Sequence, residues 1–118
     1  MSGEQRLKRR EDFRAVFKAG RRYGNRLVAL YVLARGGGPS RIGYTTGRGI
    51  GKATVRNRLR RRLREIGRPW EERLGSGLDL VIVARAEAVE ADFAGLRAGV
   101  AAVLDQAARR ETPEGLRR

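Results

Sequence analysis

Residues 52–64 of this chain hold seven basic side chains and no acid, in a spacing that a helix would sort onto separate faces. At about 100° per residue, Val55, Leu59, Leu63 and Ile66 fall within one narrow apolar arc. Arg56, Asn57, Arg60, Arg61, Arg64 and Arg68 spread over a second arc beside it, and Arg58 and Arg62 complete the far side. The apolar arc can pack on a sheet, which leaves the arginines facing outward. The pairs Arg56–Arg60, Arg60–Arg64 and Arg58–Arg62 are like charges one turn apart, each unfavourable by roughly 0.2–0.5 kcal/mol. Only Arg61 has an acid one turn on, Glu65. A merely solvated face would normally mix signs. A phosphate-rich partner removes the repulsion and releases counterions.

The flanking segments say what such a helix packs on. Residues 11–19 are expected to be a short helix with Glu11 and Asp12 in its first turn, Phe13, Val16 and Phe17 on one face, and Gly20 as its stop. Residues 23–33 read as a strand, apolar on both faces from 27 to 33. A turn at 36–40 leads to a strand over 41–46, expected to pair with the first as an antiparallel hairpin. Gly47, Gly49 and Gly51 connect to the long helix over 52–67, which Arg68-Pro69 should end. Residues 78–84 form another strand apolar on both faces. Residues 91–108 form an amphipathic helix with Phe93, Leu96, Val100, Val103, Leu104 and Ala107 on one stripe. The expected fold is a small two-layer α/β sandwich with three helices. Its 41–84 strand–helix–strand unit is parallel if the two strands are neighbours. One domain over 1–110 and a disordered tail over 111–118 are expected.

Charge and composition then limit the function. The 118 residues carry a net charge of +14, and lysine supplies only Lys8, Lys18 and Lys52 of the basic side chains. Residues 1–26 hold nine basic residues against three acids, and residues 41–73 hold eleven against three. From 78 to 108 the balance reverses, with Arg85 and Arg97 against Asp79, Glu87, Glu90, Asp92 and Asp105. Segregated charge implies one basic face toward a polyanion. Arginine forks suit phosphate oxygens and base edges. Cysteine and histidine are absent, which excludes disulfides, thiolate metal sites and nucleophiles activated by imidazole. No stretch reads as a membrane span or signal peptide, so a cytoplasmic location is expected. A groove-reading DNA helix is the natural rival. The flanks show no helix-turn-helix, zinc ligands or heptads, and the apolar arc is needed on the sheet.

The string from Lys52 through Arg56-Asn57-Arg58 to Arg60-Arg61-Arg62-Leu63-Arg64 resembles the signature helix of the bacterial ribonuclease P protein component. Ile50-Gly51 stands just before it, as in that family. The resemblance continues through residues 7–13 and 16–20, Asn25-Arg26, Leu30-Tyr31, Arg41-Ile42-Gly43 and residues 79–85, covering about residues 6–108 in order. It implies an α+β fold with a mixed sheet of about four strands, similar to one ribosomal-protein domain, and a left-handed strand–helix–strand crossover. Handedness statistics alone would favour a right-handed one.

The resemblance also implies the function. Such a protein is the accessory subunit of an endoribonuclease whose catalytic RNA removes the 5′ leader of precursor tRNA. The RNA carries the active site and holds the magnesium, so no protein catalytic residue, metal ligand or cofactor is implied. Arg48, Lys52, Arg56, Asn57, Arg60, Arg61 and Arg64 would face the catalytic RNA. Phe13, Phe17, Tyr31 and Arg85 would hold the leader, the aromatic faces stacking on unpaired bases. Two departures thin the charge near that cleft: Gly49 and Ala86 stand where the family usually has basic residues. The alternative reading is a non-enzymatic, ribosome-associated or general RNA-binding protein. A stand-alone protein nuclease would need a general base, and none is evident. Glu11-Asp12 and Glu71-Glu72 read as helix-start and surface acids.

Overall fold

A computed structural model describes residues 6–110, so the tail expected at 111–118 lies outside the described residues. In chain order the elements are α1 (Arg10–Ala19), β1 (Arg21–Gly24), β2 (Val28–Pro39), β3 (Arg41–Thr46), α2 (Ala53–Glu71), β4 (Ser76–Ala84), a short 3-10 helix (Ala86–Glu90) and α3 (Phe93–Arg110). The strands form one mixed sheet in the order β1-β2-β4-β3. β2 is antiparallel to β1 and β4, and β3 is parallel to β4. The α+β sandwich with three helices is as expected, and the 41–84 unit is the parallel β3–α2–β4 crossover.

The expected hairpin between the strands now called β2 and β3 is wrong, because β4 lies between them. A single residue, Ser40, separates those strands, too few for a hairpin loop. Ser40 is buried and tied to β4 instead: the Leu78 N–H donates to its Oγ at 3.1 Å, and its own N–H donates to the Gly75 carbonyl at 3.3 Å. Central placement suits β4, whose residues are the most evenly apolar and need cover on both faces. The single strand expected over 23–33 is also two strands. Asn25 turns the chain, its Oδ1 accepting from the N–H groups of Leu27 and Val28, both at 3.0 Å. Its Nδ2 donates to the Gly99 carbonyl of α3 at 2.9 Å, fastening the turn to the helix layer.

One face of the sheet carries Leu30, Val32, Ile42, Tyr44, Leu80 and Ile82 against α2 and α3. Leu59, Leu63 and Ile66 of α2 and Leu96, Val100, Val103, Leu104 and Ala107 of α3 are all buried there. Each such apolar side chain contributes roughly 1.5–3 kcal/mol relative to exposure. The apolar arc of α2 and the stripe of α3 are therefore where the periodicity put them. The long helix does not stop at Pro69, as expected, but runs to Glu71. Its last turn is held by tertiary contacts: Trp70 packs on the core, and the buried Glu71 carboxylate accepts the Tyr44 hydroxyl. Any side chain at Gly67 would collide with the Tyr44 ring, so glycine there lets that ring lie against α2. α3 begins after Asp92, whose Oδ1 accepts from the Gly95 N–H at 2.7 Å.

α1 lies on the opposite face, where Leu7, Val16 and Val81 are buried with Phe13, Tyr31, Leu33 and Val83 around them. Gly20 stops α1 as expected and follows it in extended geometry at φ −75°. A Cβ there would strike the Val16 and Val32 carbonyls, so the tight entry into β1 needs glycine for space. At one end of this face the buried Asp79 carboxylate accepts from Arg35 Nε at 2.9 Å and from Arg41 Nε and Nη2 at 3.0 and 2.8 Å. Arg41 also reaches Asp12 of α1 at 3.5 Å, which ties helix to sheet.

Candidate nucleic-acid interface

α2 starts without side-chain capping and with no acid in its first turn, so its positive dipole end is left to whatever anion approaches. Gly51, just before it, has φ +92°, a left-handed geometry that turns the chain from Ile50, buried in the core, into the helix. Arg56 folds back to donate to the Gly51 carbonyl, and Arg60 donates to Asn57 Oδ1, so both guanidiniums are held along the helix start. Arg56, Arg60 and Arg64 are half-buried, while Asn57 and Arg61 are exposed. Among the described residues, none of Arg58, Arg61, Arg62 and Arg64 has an ion-pair or hydrogen-bond partner, and Arg56 and Arg60 meet no carboxylate. Arg48 and Lys52 are exposed on the segment leading into α2. The seven residues expected on this surface therefore stand together on one helix and its approach. Gly49 also has positive φ, +83°, a backbone conformation that favours glycine.

The charge of Arg64 is also felt at the buried end of this face. Burial, and then the hydrogen bond to Glu71, push the Tyr44 phenol well above its ordinary value, while Arg6 and Arg64 oppose the rise. Arg6 pairs in parallel fashion with Ile42 at the outer edge of β3. Its Nε is buried there without a hydrogen-bond partner among the described residues.

The aromatic residues expected to hold a strand of RNA lie on the other face of the sheet. Phe17 and Tyr31 meet edge to face, with centroids 5.0 Å apart and planes at 84°. Phe17 is 42% exposed, the one large apolar side chain so open among the described residues. Phe13 is half-buried and seated over Gly43, where any Cβ would collide with its ring. Arg85 is not beside this trio. It follows the end of β4, four residues beyond Val81, the partner of Tyr31, or about 13 Å along a strand. Its Nη1 donates to the Asn25 carbonyl at 3.0 Å. The basic side chain that does stand opposite Tyr31 is Arg22 of β1, which is exposed. It was missed because its position depends on the β1–β2 register.

Among the described residues no group of three or more carboxylates could hold an ion. Asp12 pairs with Arg41, and Glu71 is engaged by Tyr44. No helix among the described residues is long and apolar enough to cross a membrane.

Comparison with known proteins identifies the family and the fold. A family model described as Ribonuclease P matches residues 1–108. The ribonuclease P protein component of Symbiobacterium thermophilum is 40% identical over 108 residues, covering 91% of this chain and 94% of that protein. That of Chloroflexus aggregans is 39% identical over 115 residues, covering 97% and 85%. Among solved structures, the RNase P protein from Thermotoga maritima superimposes with a TM-score of 0.73 at 32% identity, covering 91% of this chain and 98% of that one. The RNase P protein from Staphylococcus aureus superimposes at 0.75 and shares the fold at 23% identity.

Proposed function

The chain belongs to the ribonuclease P protein family, and from that premise we propose that it docks on the ribonuclease P RNA through α2 and holds the precursor tRNA leader across the opposite face of its sheet. The observation that carries this reading is the row of guanidiniums on α2 without carboxylate partners among the described residues. In the free protein these charges repel; against RNA phosphates they release counterions and position the complex without reading sequence. Arg48, Lys52, Arg56, Asn57, Arg60, Arg61 and Arg64 supply that contact. Phe13, Phe17 and Tyr31 give the leader aromatic faces on which unpaired bases stack whatever their identity. Arg85 takes a more distant part of the leader.

Cleavage itself is assigned to the RNA. The chain has no histidine or cysteine, and Asp12 and Glu71 are engaged in holding Arg41 and Tyr44, so it supplies binding and orientation. Magnesium belongs to the RNA on the same reading, and the protein's charge offsets phosphate repulsion that more magnesium would otherwise have to screen. The test is reconstitution with the matching catalytic RNA at low magnesium. Adding the chain should raise precursor tRNA cleavage and affinity; no gain sinks the proposal. Copurification with ribosomal RNA instead would favour a general RNA-binding role.

A further inference from the structure

Arg58 and Arg62 point to a part of α2 that the docking row does not use. Arg62 stands three and four residues before Glu65 and Ile66, hence on the same side of the helix as both. There a groove of about 410 Å³ opens between the last turns of α2 and the first turns of α3. Trp70 and Pro69 line it from α2, and Phe93 and Arg97 from α3. Trp70 and Phe93 are both only half-buried, and each carries a guanidinium over its ring: Arg73 at 5.8 Å from the Trp70 centroid and Arg97 at 5.1 Å from the Phe93 centroid.

We propose that this groove receives one unpaired base of the RNA that docks on α2. The inference rests on the reading of α2 as an RNA surface and adds a second contact to it. Aromatic rings bordered by arginine are the chemistry of a base-stacking platform, because every base offers a π-face and the guanidiniums can turn to the adjoining phosphates. Glu65 is the only acid lining the groove. It disfavours a phosphate there and can accept an amino N–H from adenine, cytosine or guanine. Arg97 in the lining and Arg73 over the Trp70 ring outnumber that single carboxylate, which favours an anionic strand. A second copy of a chain bearing +14 would be repelled.

Trp70 is the only tryptophan in the chain, so its emission reports on this groove alone. The full chain is titrated with end-labelled oligoadenylate of about eight nucleotides, within the usual single-strand site sizes. Label anisotropy gives total binding, and Trp70 emission gives occupancy of the groove. The emission should be quenched as the label saturates. Phe93→Leu, which keeps apolar packing and removes the ring, should weaken binding by about fivefold or more. Should Phe93→Leu lower the melting temperature, Arg97→Gln at an exposed position gives the same comparison. Label saturation with unchanged Trp70 emission, or parental affinity in the folded variants, overturns the groove while leaving α2 as the RNA surface. No binding by label overturns both.

Discussion

Tyr44 sits where the sheet, α2 and the basic surface meet. Its hydroxyl donates to the buried Glu71, and its ring occupies the space that Gly67 leaves open. Burial first, and the bond to Glu71 second, raise its phenol above the ordinary value of 10.0. In the unfolded chain the phenol loses its proton near that value, while in the folded chain it keeps it. The unfolded state therefore binds fewer protons above pH 10, and this contribution, complete below that pH, is lost as pH rises further. Tyr44→Phe should lower stability at neutral pH by roughly 1–3 kcal/mol, since a buried carboxylate loses its donor. It should also flatten the alkaline decline, which urea midpoints at neutral pH and at about pH 11 would show. Phe17 is the opposite case, largely open and touching Tyr31 by its edge. Phe17→Ala should cost only about 1 kcal/mol of stability yet weaken leader-bearing precursor tRNA by about fivefold or more. Binding of leaderless tRNA should not change. Equal losses for both substrates would remove Phe17 from the leader contact.

At the scale of elements, α2 divides its circumference between jobs that conflict. Val55, Leu59, Leu63 and Ile66 bind it to the sheet, and the like-charged arginines opposite weaken it as an isolated helix. Arg60→Gln and Arg64→Gln should each reduce the salt slope of catalytic-RNA binding by about one phosphate contact. Affinity measured across a salt series tests this, and an unchanged slope would take the residue off the interface. The apolar arc of α2 was legible because burial demands a 3.6-residue period. Its end was not, because Trp70 and the Glu71–Tyr44 bond carry the helix past a proline whose local effect is to stop it. The turn at Asn25 was equally hidden. Two of its side-chain hydrogen bonds are local, but the one that fastens it to α3 exists only once the layers are packed.

For the molecule as a whole, 27 basic residues against 13 acids make compaction compete with self-repulsion. Several carboxylates are placed to brace the fold rather than to offset α2: Asp79 holds Arg35 and Arg41, and Asp12 joins α1 to the same cluster. The α2 surface is thereby left positive, and anions that bind it should stabilise the folded state by mass action. Sodium sulfate should raise the melting temperature more than sodium chloride at equal ionic strength, as calorimetry would show. Equal shifts would mean general screening alone. The sheet separates the two proposed RNA surfaces, arginines on the face with α2 and the Phe17–Tyr31 pair on the other, so substitutions in one should add to those in the other.

The sequence by itself determined the arginine helix, its apolar seat, the two-sided strands and the polyanionic character of the partner. Each of these follows from periodicity or charge, which are local properties of the chain. Only the tertiary structure decided that β4 lies between β2 and β3, that Arg22 rather than Arg85 stands opposite Tyr31, and that Trp70 and Phe93 border one groove. Those facts depend on strand register and layer packing, where residues far apart in the chain compete for the same neighbours. The most apolar strand takes the centre because it loses most by remaining exposed.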